Sequence, residues 1–233
     1  MFEHELRFYR EVAPEVGTRV PECYEAVETG QGFRLVLEDL SSWVEGGDPV
    51  NVAAVLKDMH ARWAGVAGRR WLWLNRDGRG ASAIGKLYNR VWSGMHERPD
   101  LTPAVRGLGD RFVGKVTALE LGEASAPRRT LIHGDASLRN TRTSPDGVIA
   151  LVDWEDVRSA NGCVDLTWLL VSSVEPERWD DVIFAYGADV SEFKAALPNA
   201  ATQGILSLGD CEAGSQEAMR WVARIEAAAG RLQ

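Results

Sequence analysis

The sequence predicts an α+β fold in which helices dominate and the strands are few and short. Apolar residues recur at helical spacing over long segments, as they do from Val52 to Trp63. Short β-branched runs bounded by turn residues occur in two regions, residues 23–37 and residues 130–152. A chain of 233 residues can bury a core as one domain or as two packed lobes.

The first part of the chain predicts a helix, a hairpin and a second helix. Residues 1–13 have a helical pattern that is broken at Ala13–Pro14. Residues 23–27 and 33–37 are strand-like, and the Gly30-Gln31-Gly32 segment between them is typical of a hairpin turn. A loop at Gly46-Gly47-Asp48-Pro49 then begins a helix with apolar residues at Val52, Val55, Leu56, Met59 and Trp63.

The remainder is predicted to be mostly helical. Periodicity indicates helices near Ala83–His96 and Thr102–Leu121, and further helices from Asp165 onward. Between them, residues 130–132 and 147–152 form a predicted strand pair, with a turn before the second strand.

Polar residues in the loop between these two strands form an ordered set. Asp135 follows His133-Gly134, Asn140 comes five residues later, and Asp153 comes thirteen residues after that. In kinase-type phosphoryl transfer, one Asp receives the proton of the substrate hydroxyl, while an Asn and a second Asp bind the magnesium ion. Carboxylate and amide oxygens suit this hard cation. The spacing therefore indicates phosphotransfer chemistry.

The predicted strands would bring these side chains together. Asp135 follows the first strand and Asp153 follows the second, so both carboxylates can face one cleft, with Asn140 on the loop between them. Taken singly, such residues usually cap turns, and a lone histidine such as His133 is usually structural. His60, on the helix after the hairpin, is either structural or a contact to substrate or nucleotide.

These segments resemble the aminoglycoside phosphotransferase and choline kinase-like family, which has a protein kinase-like fold. The resemblance rests on His133 to Asn140, on Asp153-Trp154-Glu155, and on residues 162–168 with Asp165. Residues 5–10 and 35–40 are similar to the family's first helix and to its interlobe hinge.

The resemblance implies a role for each residue of the motif. Asp135 is implied to be the catalytic base, and Asn140 and Asp153 to bind Mg²⁺. Asp165 is implied to hold the backbone of the catalytic loop, with His133 as further structural support.

The resemblance also implies a nucleotide site. The hinge residues Glu38, Asp39 and Leu40 would bind ATP, chiefly through backbone groups offered to the adenine by Glu38 and Leu40. Glu5 would be the helix carboxylate that pairs with a strand lysine next to the phosphates.

The sequence departs from the family at its beginning. The family opens with a glycine-rich hairpin and the strand lysine, whereas Met1 here is followed almost at once by the Glu5 helix. We therefore expect residues 1–40 to be a partial N-lobe with the hinge, and residues 41–233 to be a helical C-lobe that carries the catalytic and substrate sites. A start codon assigned too late, a truncated gene and a partner chain that supplies the strands are three explanations.

Three functions follow as hypotheses. The first is ATP- and Mg²⁺-dependent transfer of the γ-phosphoryl group to a small-molecule hydroxyl, on an aminoglycoside, a choline-like compound or another alcohol. The second is an inactive, truncated kinase-like protein. The third is a metal-dependent hydrolase in which His133, Asp135 and Asp153 bind the metal.

Composition excludes several other classes. The net charge of −8 and the lack of a basic run argue against a nucleic-acid partner. Three distant cysteines predict neither a zinc site nor a disulfide framework. The first residues lack a basic region followed by an apolar stretch, and no apolar run reaches membrane-spanning length. We therefore expect a cytoplasmic protein without a membrane partner, and the oligomeric state stays open.

One further phosphate motif is a coincidence. Residues 80–87 nearly match a P-loop, but Leu87 stands where a magnesium-binding hydroxyl is required, and no apolar strand precedes Gly80. The segment is predicted to lie on an amphipathic helix instead.

Overall fold

The computed structural model describes residues 2–30, 32–76, 78–125 and 129–233. In these residues the α-helices are α1 (Phe2–Arg7), α2 (Pro49–Trp63), α3 (Ala67–Arg70), α4 (Ala81–Met95), α5 (Pro103–Phe112), α6 (Val116–Ser125), α7 (Cys163–Ser173), α8 (Trp179–Tyr186), α9 (Val190–Gly209) and α10 (Gln216–Arg231). The strands are β1 (Cys23–Thr29), β2 (Gly32–Leu37), β3 (Val44–Glu45), β4 (Thr130–Ile132), β5 (Thr141–Thr143), β6 (Ile149–Leu151) and β7 (Arg158–Ala160). The predicted α+β fold with a mainly helical second part is confirmed.

The N-terminal helix and hairpin form where the sequence predicts them. After α1, a π-helical segment and a short 3-10 turn carry the chain to Glu15, close to the predicted break. β1 and β2 pair antiparallel, with Thr29 opposite Gly32. Gln31, in the predicted turn, lies outside the described residues.

Helix α2 begins at the predicted loop. The Asp48 carboxylate caps it by accepting a hydrogen bond of 2.9 Å from the backbone N–H of Val50, and Pro49 occupies the first turn, where its missing N–H costs nothing. Its apolar stripe, which includes Leu56 and Met59, is buried.

The predicted helix over Thr102–Leu121 is wrong as a single element. The chain instead forms α5 and α6, separated at Gly114, whose φ of +74° lies outside the right-handed helical region. Helical periodicity continues across this break because both helices bury apolar residues. The turn lets α6 pack against α4 and α9.

The strands around the loop pair differently from the prediction. β5 and β6 form the short hairpin, with Thr141 opposite Leu151, and β3 pairs with the other edge of β5. β4 pairs with β7, which the sequence did not predict, rather than with residues 147–152. Strands of three residues carry too little pattern to identify their partners.

Helix α7 lies at the centre of the helical part. It packs against α9 and α10, and Leu166, Leu169 and Leu170 are fully buried. Its first turn therefore has a fixed position beside the loop that follows β4. Within the described residues, no helix has both the length and the apolar character needed to cross a bilayer.

Candidate active site

The loop after β4 is held in place by a carboxylate from α7. Asp165 Oδ2 accepts a hydrogen bond of 2.7 Å from the backbone N–H of His133, and Oδ1 accepts one of 2.8 Å from Gly134 N–H. Gly134 has φ +92°, and a Cβ atom there would collide with the carbonyl oxygen of Asp156. The position therefore requires glycine.

His60 completes the support of this carboxylate. Its Nε2–H donates to Asp165 Oδ2 at 3.1 Å, and the Tyr186 hydroxyl donates to its Nδ1 at 2.8 Å. Both ring nitrogens are thus used inside the protein, and His60 has the structural role rather than a substrate contact. The sequence is compatible with that role but does not indicate the partner, Asp165, which lies 105 positions away.

Asp165 is completely buried. Burial alone would raise the pKa of this carboxyl group, but the hydrogen bonds from His60 and from Gly134 N–H outweigh it and lower the pKa below its usual value. The carboxylate therefore stays ionised while it holds the loop.

His133 connects the two strand ends. Its Nε2–H donates to the carbonyl of Val152 at 2.9 Å, and Asp135 N–H donates to its Nδ1 at 3.3 Å. The ring packs against Trp154, with centroids 4.4 Å apart, and Trp154 stacks on Phe8 of the N-terminal helical segment at 4.0 Å. Because both ring nitrogens are engaged, His133 cannot be the metal ligand that the hydrolase hypothesis requires.

Asp135 and Asn140 are in direct contact. The Nδ2 amide of Asn140 donates to Asp135 Oδ2 at 2.8 Å and to the Asp135 carbonyl at 3.0 Å. The indole N–H of Trp168, from α7, donates to Asp135 Oδ1. Sequence reasoning missed this role of Trp168, which no local pattern reveals.

Asp153 lies beside Asn140 because of the β5–β6 register. Val152 N–H donates to the Asn140 carbonyl at 3.0 Å, which continues the ladder by one step and brings Asp153 to the end of the hairpin. Asp153 is exposed and has φ +65°, a strained value for a residue other than glycine. Within the described residues its carboxylate accepts no hydrogen bond, so its oxygens are available to a ligand.

The hinge residues use their side chains locally. Glu38 accepts hydrogen bonds of 2.6 and 2.5 Å from Arg19, which, together with Glu22 N–H, lower the pKa of Glu38. Asp39 is exposed and accepts a hydrogen bond of 2.8 Å from Ser41 N–H. Both carboxylates therefore accept hydrogen bonds from other residues of the protein.

Hinge backbone groups do remain available. Glu38 N–H donates to Glu22, and the Leu40 carbonyl accepts from Trp43 N–H. Over the described residues, the carbonyl of Glu38 and the N–H of Leu40 take part in no hydrogen bond. This pair has the acceptor and donor character that an adenine edge requires.

Comparison with known proteins agrees with this geometry. The phosphotransferase enzyme family matches residues 2–198, which is most of the chain. The chain belongs to this family. A search of curated proteins finds no match.

Solved structures share the fold of this phosphotransferase. An aminoglycoside 2'-phosphotransferase-IIIa in its GDP complex is 12% identical, with a TM-score of 0.60 over 98% of this chain and 81% of that chain. A choline/ethanolamine kinase family protein from Mesorhizobium loti is 15% identical, with a TM-score of 0.59 over 97% and 82%. An aminoglycoside phosphotransferase from Alicyclobacillus acidocaldarius is 18% identical, with a TM-score of 0.56 over 98% and 80%. At these identities the likeness shows the kinase-like fold alone.

Glu5 of this phosphotransferase lies near Asp153. Burial raises its pKa, and the charges of Asp153 and Glu155 raise it further, while the nearby Trp154 N–H partly offsets both. Among the described residues, no lysine or arginine forms an ion pair with Glu5.

We expect Glu5→Gln to stabilise the protein increasingly as pH rises. A carboxyl group with a raised folded-state pKa stabilises the fold when protonated, and this stability is lost as pH rises through the folded pKa. Gln keeps the size of the side chain but has no proton to lose. The difference in melting temperature between the variant and the wild type should therefore grow from about pH 5 to about pH 8. The matched control is Glu3→Gln, an exposed position on the same helix. A difference that stays constant with pH would contradict the assignment.

Proposed function

We propose that this protein transfers the γ-phosphoryl group of ATP to a hydroxyl group of a small molecule, with Mg²⁺ as cofactor. The proposal rests on the contacts by which Asn140 joins the segment of Asp135 to the segment of Asp153. Asn140 binds Asp135 through its side chain and binds Val152, the neighbour of Asp153, through its backbone. The proposed base and the two proposed oxygen ligands therefore belong to connected segments of a chain from a phosphotransferase family.

The donor set fits the magnesium ion. Asn140 uses its Nδ2 group for Asp135, so its Oδ1 oxygen faces away from that bond, and Asp153 offers an exposed carboxylate. Mg²⁺ needs few protein oxygens because it retains waters and binds nucleotide phosphates. Asn140 and Asp153 would hold it, and the bound ion supplies charge neutralisation at the transferred phosphoryl group.

Asp135 has the role of base and orienting group. Asn140 holds its Oδ2 atom and the Trp168 indole holds Oδ1, so the carboxylate plane is fixed before an acceptor arrives. Each oxygen keeps a second lone pair, which can accept the proton of the acceptor hydroxyl. In a loose transition state this proton leaves late, so the position of the carboxylate matters more than its basicity.

The adenine of ATP would meet the hinge through main-chain groups. The Glu38 carbonyl accepts a hydrogen bond from an exocyclic amine, and the Leu40 N–H donates to a ring nitrogen. GTP presents the opposite pattern at these positions, so the same pair of groups favours ATP.

The test is acceptor-dependent phosphorylation. Purified protein is incubated with ATP, Mg²⁺ and a panel of amino sugars, sugars and amino alcohols, and products are followed by phosphorus NMR. We expect a new phosphate ester in the presence of at least one acceptor, together with ADP in equal amount. If ATP binds but no acceptor in the panel yields an ester, the phosphotransferase proposal fails for these substrates.

A second candidate is a nucleotide-binding protein without turnover. It is favoured by one observation, the absence of a cationic partner for Glu5 among the described residues. Such a protein would show ATP-dependent stabilisation in a thermal-shift experiment but no ester and no ADP. Both candidates thus predict ATP binding, but only the phosphotransferase predicts formation of an ester and ADP.

A further inference from the structure

A cavity of about 500 Å³ is lined by Asp135 and by residues 137–139 of the loop that leads to Asn140. Residues of α7, α9 and α10 form its other side. The volume lies within the range of small-molecule sites, about 300–1,000 Å³. We call this cavity the tryptophan cleft, and five of its lining residues matter here: Asp135, Ser137, Trp168, Ser207 and Trp221.

Two tryptophans provide the apolar surface of the cleft. The rings of Trp168, from α7, and Trp221, from α10, have centroids 6.1 Å apart and planes inclined by 33°. Both side chains are half-buried and line the cavity. Trp168 is held by its hydrogen bond to Asp135, and Trp221 packs against Gly204 of α9. A ligand with a flat apolar face can therefore lie against these rings, next to the proposed base.

Uncharged polar groups lie beside the two tryptophans. Within the described residues, the hydroxyl groups of Ser137 and Ser207 and the indole N–H of Trp221 form no hydrogen bond. Ser172 and Ser173 add two further hydroxyl groups, which bond to each other at 3.0 Å. Because a hydroxyl group both donates and accepts, these side chains match a ligand that carries several hydroxyl groups of its own.

The cleft offers a cationic ligand no carboxylate partner beside the tryptophans. Asp135 has the role of base and already accepts two hydrogen bonds. The other carboxylate that lines the cleft, Glu45, is exposed and lies 3.6 Å from the guanidinium group of Arg142. The Arg139 side chain is exposed as well. An ammonium group beside the tryptophans would therefore lose water without gaining an opposite charge.

We propose that the acceptor is an uncharged sugar or another cyclic polyol, which stacks on Trp168 and Trp221 while one of its hydroxyl groups lies at Asp135. This proposal rests on the proposed function and makes Trp221 the residue that determines specificity. The oxygen of that hydroxyl group bonds to the γ-phosphorus as the bond to ADP breaks, and its proton passes to Asp135. The remaining hydroxyl groups of the ligand match Ser137 and Ser207.

The test compares ring acceptors that differ only in hydroxyl against ammonium. D-glucose with D-glucosamine, and D-galactose with D-galactosamine, are two such pairs, assayed at about pH 7, where the amine is largely charged. For at least one pair, we expect wild-type kcat/KM to be about tenfold or more higher with the neutral sugar. Glycerol has hydroxyl groups but no ring to stack, so it should be the poorer acceptor by about tenfold or more.

Variants of the cleft test the two kinds of contact. Trp221→Ala should lower kcat/KM for the neutral sugar by about 10- to 100-fold, mainly through KM, because the stacking surface is lost. Trp221→Phe and Ser207→Ala each remove one hydrogen-bonding group and should lower it by about 2- to 10-fold. Met219→Ala, at an exposed site on the same helix, is the matched control and should keep wild-type values. Wild-type melting temperatures of Trp221→Phe and Ser207→Ala separate loss of binding from loss of folding.

Binding of the sugar is measured in parallel, so that the inference is tested without turnover. The neutral sugar should raise the melting temperature of the wild type but not that of Trp221→Ala. Sugar binding that depends on Trp221, without any phosphate ester, keeps this inference and rejects the proposed function. Amines that react as well as the neutral sugars, or wild-type kcat/KM in Trp221→Ala, overturn the inference and leave the proposed function intact. Failure of every neutral sugar to bind also overturns it.

Discussion

Asp135→Asn should abolish phosphoryl transfer, with kcat lower by at least about 10²- to 10⁴-fold, the usual contribution of a general base. Asn cannot take the proton of the acceptor hydroxyl. It also has a single side-chain acceptor oxygen, whereas Asn140 Nδ2 and the Trp168 indole N–H both donate to the native carboxylate. One of these donors would face an NH₂ group, so the orientation of the side chain is lost together with its basicity. The measurement is the initial rate of ADP and ester formation.

Nucleotide affinity separates this explanation from misfolding. Asp135 is the acceptor-side carboxylate in our proposal, so Asp135→Asn should bind ATP with Mg²⁺ within a few-fold of the wild type. Asp181→Asn, an exposed position on α8, is the control and should keep full activity. Wild-type turnover by Asp135→Asn would mean that the base has been misassigned.

Asp165→Ala should have the largest effect on folding. It removes the acceptor for His133 N–H, for Gly134 N–H and for the His60 ring. Loss of one partner of a buried charged network costs about 3–5 kcal/mol. The free energy of unfolding from urea titrations should fall by that amount, and the loop that carries Asp135 should lose its fixed position.

The contribution of Asp165 to the unfolding free energy should also depend on pH. Because the folded pKa of Asp165 is lowered, its stabilising contribution is present above the ordinary aspartate pKa of about 3.9 and is lost as pH falls through the folded value. The difference in unfolding free energy between wild type and Asp165→Ala should therefore be largest at neutral pH and should shrink in acid below about pH 4. Asp181→Asn should show no such trend. A difference that grows in acid would rule out the carboxylate as the source of this stability.

The sequence predicted those parts of the site that depend on residues close together in the chain. Asp135, Asn140 and Asp153 belong to two short segments whose spacing alone indicates phosphoryl transfer, and the β5–β6 hairpin that joins Asn140 to Val152 is a local structure. The turn residues before β6 indicate this hairpin in the sequence. Such features depend on neighbouring residues and are visible in the sequence.

Contacts between distant segments could not be predicted. The His60–Asp165 pair and the Trp168–Asp135 hydrogen bond each join elements far apart in the chain, and no sequence pattern indicates that these residues are in contact. The pairing of β4 with β7 was missed because each strand has only three residues, too few to show an alternation of polar and apolar side chains. The break at Gly114, after which α6 packs against α4 and α9, was also missed because helical periodicity continues across it.

Binding of magnesium by Asn140 and Asp153 is the central claim, and calorimetric titration with ATP tests it most directly. The wild type, Asn140→Ala and Asp153→Asn are each titrated with and without Mg²⁺, with folding checked by circular dichroism. We predict that Mg²⁺ tightens ATP binding to the wild type, and that this gain disappears in both variants while binding of ATP alone is little changed. A gain of wild-type size in both variants would contradict the account.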